Sequence, residues 1–241
     1  MTSWATWPRA VLTCLVSGCC LAVAPLSAMT VTAAPSPVPV STVRRDFGPP
    51  SGMVVATAEE VTAFAPFATA GHVVVAAFVP ARAPSTSTGH IVLIKETDDR
   101  GVAPEVSAEQ FSAQYQTARN EARGSDQDKD EATKRSLDGM KALCRREHRQ
   151  CPRISSQSFR TSVTIDEPSR IIILSRMEQT VEGKQPTVSL LLSGNFLVHG
   201  RERQVSVIQH VTSPDDEAWF ETVATPWMLT LHVRDGALVA P

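Results

Sequence analysis

Residues 187–212, TVSLLLSGNFLVHGRERQVSVIQHVT, restrict the fold more than any other part of the chain. Val188, Leu190, Leu192, Gly194, Phe196 and Val198 alternate onto one face of a first strand, and Val205, Val207 and Val211 onto one face of a second. A two-residue loop at Gly200-Arg201 sets Phe196 opposite Val205, Gly194 opposite Val207 and Leu190 opposite Val211, so that both apolar sets share a face. Gly200 at the first loop position suits a type II′ turn, whose positive φ costs glycine little. A slip of one residue would send the two apolar sets to opposite sides. The stretch therefore predicts a hairpin with a defined register, and it carries no chemistry of its own.

The flanking sequence extends the hairpin into a meander. Phe159, Thr161, Val163 and Ile165 alternate with Arg160, Ser162 and Thr164, and Asp166-Glu167-Pro168-Ser169 turns the chain. Residues 170–180 (RIIILSRMEQT) return, and Glu182-Gly183-Lys184 turns again, which makes four antiparallel strands. Ser213 then caps a last helix, with Pro214 at its first position and Asp215 and Asp216 at the positive end of its dipole. Trp219, Phe220, Val223, Trp227 and Leu231 are placed to cover the sheet, with a kink expected at Pro226.

The N-terminal half is mixed. Residues 53–56 predict a short strand, and Thr57 with Glu60 a capping box for a helix that Pro66 keeps short. The run HVVVAAFV (72–79) has no polar alternation, as expected for a strand covered on both faces. HIVLIKET (90–97) is the next strand. Ser107 can cap a helix, Gln110 completes its box, and Val106 can staple to Phe111. Phe111, Tyr115, Ala118 and Ala122 form its apolar stripe. A second helix follows the Gly124-Ser125 break, through Leu137, Met140, Leu143 and Cys144. The whole reads as an α+β fold, mainly antiparallel sheet with helices packed on it.

The start of the chain reads as an address. Residues 10–28 are apolar or small, broken only by Pro25, and they predict a signal peptide over 1–28, with cleavage as late as 33 as an alternative. A rival reading takes Val16-Ser17-Gly18-Cys19 as a lipobox, with Cys19 lipidated and the chain tethered as an outer-membrane lipoprotein. Residues 29–50 are rich in Pro, Ser and Thr and suit an extended spacer, so a single domain is expected over 51–241. Removing Arg9 with the leader moves the formal charge from 23 − 25 = −2 to 22 − 25 = −3. A near-neutral domain of this kind has no electrostatic footprint for nucleic acid. Beyond the leader no membrane span is expected. Of the five cysteines, Cys14, Cys19 and Cys20 lie in the leader, leaving Cys144 and Cys151 as a disulfide pair suited to the periplasm or the extracellular space.

The search for reactive groups is largely negative, and no catalytic, cofactor-binding or metal-binding residues are assigned. Asp126-Gln127-Asp128-Lys129-Asp130 imitates a calcium loop, but Glu131 stands where glycine is required and Leu137 where the bidentate acid belongs. Ser193 lies mid-strand, without a G-x-S-x-G elbow. The six histidines never come at metal-ligand spacing. His210 shares a face with Ser206 and reads as an ordinary half-exposed strand histidine, with a groove shared with Arg176 or Glu178 as the alternative. His199 flanks the turn and is expected to be exposed.

The segments GNFLVHGRERQVSV and DDEAWFETVATPW, within residues 188–231, resemble an uncharacterised family of small exported proteobacterial proteins. That family carries an Asn-Gly-Lys type of turn where this chain has His199, Gly200 and Arg201, and tryptophans spaced as Trp219 and Trp227 are. The order of elements is also similar to the PsbP/Mog1-like sandwich. The resemblance implies export and transfers no catalytic residue. The expected role is an exported cell-envelope binding or accessory module acting on a protein or envelope component. The alternatives are an inhibitor or immunity-type protein binding a secreted enzyme, and a hydrolase whose site is assembled from His210, Glu178 and Ser193.

Overall fold

The structure, a computed structural model, describes residues 47–68, 72–81, 89–97, 105–124, 126–146, 153–235 and 237–240. Its centre is one seven-stranded antiparallel sheet. The strands are β1 (Met53–Val55), β2 (His72–Pro80), β3 (Gly89–Thr97), β4 (Ile154–Glu167), β5 (Arg170–Val181), β6 (Thr187–Val198) and β7 (Arg201–Val211), in the spatial order β1-β2-β3-β7-β6-β5-β4. β4 to β7 are the C-terminal meander that the alternating pattern predicted, and the fold is α+β.

The hairpin of β6 and β7 forms with a different register. Val198 pairs with Arg201, so the loop is His199-Gly200 and lies one residue earlier than expected. Gly194 faces Val205, Leu192 faces Val207 and Val188 faces Val211. The register moved by two residues, which keeps every apolar side chain on its predicted face because side-chain direction repeats every second residue. His199 and Gly200 both have positive φ, 49° and 70°, the signature of a type I′ turn instead of II′. A I′ turn matches the right-handed twist of its strands, and that match outweighs the strain of a histidine in the left-handed region.

The two faces of the sheet are covered differently. On the first face lie Ile172, Leu190, Leu192, Phe196, Val205 and Val207, under Phe220, Ala224, Met228 and Leu231 of the C-terminal helix. That helix starts at Ser213, whose side chain accepts from the Asp216 amide in a capping box. It runs through α5 (Pro214–Trp219), a π-helical turn (Phe220–Ala224) and α6 (Thr225–Thr230). Pro226 was expected to kink it. Proline has no amide to donate, and its ring crowds the carbonyl four residues back. The chain meets both demands by widening just before the proline, where the Thr225 amide and hydroxyl both donate to Phe220 O. A small hairpin, β8 (His232–Arg234) with β9 (Ala237–Val239), adds the buried Leu238 to this layer. The sequence pattern did not predict this hairpin.

On the second face α1 (Ala58–Ala63) brings Val61 over Val74, Ala77, Ile91 and Leu93. Further across, α2 (Ala108–Gln114) and α3 (Gln116–Arg123) bring Phe111, Tyr115 and Ala118 over Ile171 and Ile173. Both expected capping boxes form, Thr57 with Glu60 and Ser107 with Gln110. β2 is buried on both sides, as its unbroken apolar run implies. Its register shifts between Val74 and Ala76, and this bulge turns the consecutive Val75 and Ala76 toward the same core. α4 (Asp126–Arg146) packs along α3 and β4.

The folded unit begins before Ser51. Phe47 is buried against Phe78 and Trp227, and Trp227 Nε1 donates to Gly48 O at 3.1 Å. Among the described residues no helix is long and apolar enough to cross a membrane. The predicted leader, its cleavage sites and Cys19 lie outside the described residues. Cys144 falls in the last turn of α4, and the expected bridge to Cys151 lies outside the described residues.

Candidate functional site

Strand alternation puts polar side chains where the second face should be apolar. Lys95, Gln204 and Asn195 lie in one row across β3, β7 and β6, and Ser206 and Ser193 lie in the next. All five are less than 5% exposed. They divide the apolar cover into the patch under α1 and the patch under α2 and α3. Lys95 Nζ donates to Gln204 Oε1 at 3.1 Å. Gln204 Nε2 donates to Asn195 Oδ1 at 2.9 Å and to Ser193 Oγ at 3.2 Å. At the end of this seam Tyr115 donates to Glu202 Oε1, His72 Nε2 lies 3.8 Å from the same oxygen, and Thr97 Oγ1 donates to Glu202 O at 3.1 Å.

This network fixes the pairing of three strands, because a slip would strand its buried polar groups. It does not activate Ser193. That hydroxyl accepts from an amide and lies 3.5 Å from another amide's oxygen, with no base beside it. The signal for the seam was present in HIVLIKET, where Lys95 falls in phase with Ile91 and Leu93. It was missed because Gln204, Ser206 and His210 alternate like the wet side of a one-sided hairpin.

The dispersed hydrolase set does not assemble. Ser193 and His210 share the second face, but His210 pairs with Ser189, four residues along β6 from Ser193 and thus roughly 13 Å away. Ser189 Oγ lies 3.4 Å from its Nδ1, and burial pushes the imidazole below its ordinary range. Glu178 and Arg176 face the other way, toward the C-terminal helix. The alternative groove between His210 and those two residues does not form, because the sheet itself separates them. The calcium-like stretch is also no loop, because α4 starts at Asp126.

Arg176 and Glu178 belong instead to an open surface. The C-terminal helix covers the first face of β6 and β7 but leaves that of β4 bare from Ser158 to Ser162, before a bulge between Val163 and Ile165 turns Ile165 onto the first-face core. Ser158, Arg160, Ser162 and Thr164 are all exposed on this 14-residue strand. Arg160 lies directly opposite Arg176 across β4 and β5. Like charges so placed repel, and the structure answers with two carboxylates. Arg176 Nε donates to Glu178 Oε1 at 2.9 Å, and Nη1 donates to Glu217 Oε1 at the start of the C-terminal helix. These bonds hold the Arg176 guanidinium firmly in its charged form. Arg160 has no ion-pair partner among the described residues, so its guanidinium projects from a hydroxyl-lined strand with its donors available to a visitor. Among the described residues β4 is also an edge of the sheet, pairing only with β5.

Among the described residues no cluster of His, Cys, Asp and Glu could hold a metal ion. Compared with known proteins, the chain matches no family model, no curated protein and no solved structure.

Proposed function

We propose that the chain is an exported binding or accessory module of the cell envelope, and that it meets its protein partner on the bare first face of β4. The observation that carries this is the row Ser158, Arg160 and Ser162, exposed beside the neutralised Arg176 cluster. A row of hydroxyls around one available guanidinium suits a polar protein surface that offers a carboxylate, which Arg160 can take bidentately. The apolar, small-residue leader and the Pro/Ser/Thr-rich spacer support export. The resemblance of residues 188–231 to exported proteobacterial proteins supports it too. The Cys19 lipobox supplies an alternative tether to the envelope.

The test places a photo-crosslinking amino acid at Ser162 in the full chain, produced in its native cells. A discrete crosslinked product at Ser162, lost when Arg160→Glu is added and absent with the crosslinker at exposed Glu221, supports the reading. No product at Ser162, or the same product from both positions, overturns it.

A further inference from the structure

At the far end of the first face the C-terminal helix is fastened by a stacked pair. The imidazole of His90 lies flat against the Trp219 indole, with ring centroids 4.1 Å apart and planes 21° from parallel. His90 sits on β3 directly opposite Gln209 of β7, on the face that the helix covers. Gln209 is fully buried, and its Nε2 donates to His210 O at 2.8 Å. Neither Gln209 Oε1 nor His90 Nδ1 has a hydrogen-bond partner among the described residues. Two side-chain polar atoms therefore lie buried and unmatched beneath the first turn of the helix.

We propose that the His90–Trp219 stack is an acid-released latch, which holds residues 213–231 on the sheet while His90 is neutral and lets the start of that segment lift when His90 gains a proton. A charged imidazolium trapped between the indole and the sheet loses its water, and moving the helix away restores it. Among the described residues, the groups facing His90 offer that charge no hydrogen-bonded partner. Opposite it on β7 lies the neutral Gln209, next in the same row on β6 the apolar Leu190, and the described end of β2 beside it carries no ionisable side chain. From the helix it meets Asp216, whose attraction works in favour of the proton, while Glu217 is committed to Arg176 and Asp215 is exposed. Asp216 cannot turn toward His90 without cost, because one carboxylate oxygen already accepts from Thr212 N, Thr212 Oγ1 and Ser213 N at 2.7–2.9 Å. Burial outweighs the carboxylate, and the His90 pKa is lowered. His210, on the opposite face, is lowered in the same direction by burial.

The sign follows from these directions. A histidine whose folded pKa lies below its unfolded value of about 6.5 leaves the fold at full strength above that pH. Stability is then lost as the pH falls through the folded pKa. The latch is closed at neutral pH and opens in acid.

Hydrogen exchange on the full chain tests this, with rates corrected for the intrinsic effect of pH. Between pH 7.5 and 5.0 the amides of residues 214–230 should lose protection severalfold, in the direction set by the lowered His90 pKa. Those of β6 should hold. His90→Phe keeps a ring on Trp219 without a titrating group and should remove the pH dependence. His90→Gln should remove it as well, and stands in if the phenylalanine variant does not fold. Wild-type protection that stays flat over this range overturns the proposal. So does a pH dependence that survives both variants, since it would then belong to His210 or Asp216.

Discussion

His199 is the most strained residue of the central hairpin. Its φ of 49° belongs to glycine and asparagine, yet the turn needs that value to close β6 onto β7. His199→Asn should therefore raise stability by about 0.5 kcal/mol, seen as a higher denaturation midpoint at unchanged slope. A histidine held there by a specific contact would instead show a loss. Gly194 is the opposite case, required by space and not by backbone angle. A Cβ there would come within 2.6 Å of Met228 Sδ and 2.8 Å of the Phe196 ring. Gly194→Ala should cost about 1–3 kcal/mol, because the C-terminal helix must move off the sheet to admit it. Urea unfolding measures it, and an unchanged midpoint would mean that Met228 is free to swing aside.

The strands were readable where one face is dry and the other wet, and less so where both are covered. β4 shows its alternation plainly because it has one open face. β7 misleads for the converse reason: Gln204, Ser206 and Gln209 are as buried as the valines between them. Polarity in a sequence reports exposure only if buried polar groups are rare, and the seam is a local exception to that rule. Its cost is testable. Gln204→Leu removes the donor to Asn195 and Ser193 together and should destabilise by about 2–6 kcal/mol, from about 1–3 for each orphaned group. Adding Asn195→Leu to that variant should recover part of the loss, because the orphaned acceptor goes too. Two losses that simply add would show that the network is not a unit. The hairpin loop and the π-turn were hidden for another reason. Each is a compromise between backbone geometry and tertiary packing that neighbouring residues do not encode.

For the whole molecule, composition shift put the edge of the domain at Ser51, whereas contacts already include Phe47, the first described residue. A run of Pro, Gly and Ser looks like a spacer whether or not its last residues are gripped. Here the Phe47 ring is gripped by Phe78 and Trp227, and it ties this segment to the C-terminal helix. Phe47→Ala should cost about 3 kcal/mol, and a chain beginning at Ser51 should unfold at a correspondingly lower denaturant concentration. Equal midpoints for the shortened and full chains would mean that the ring is not part of the stable unit. The candidate surface on β4 was half legible: Arg176 and Glu178 were singled out, but which face they share is settled only by the register of β5 on β6 and of β6 on β7.

That strand order also sets how the molecule must assemble. β1 to β3 and β4 to β7 are each a run of sequential neighbours, and the described sheet is joined across its middle by the pairing of β3 with β7 alone. The residues that meet there, such as Leu93 and Ser206, stand more than a hundred positions apart in the chain. Each half can therefore form from local contacts, while the join waits for a long loop to close. The same line is where the protein could be cut in two, between β3 and β4, and still be rebuilt from its pieces.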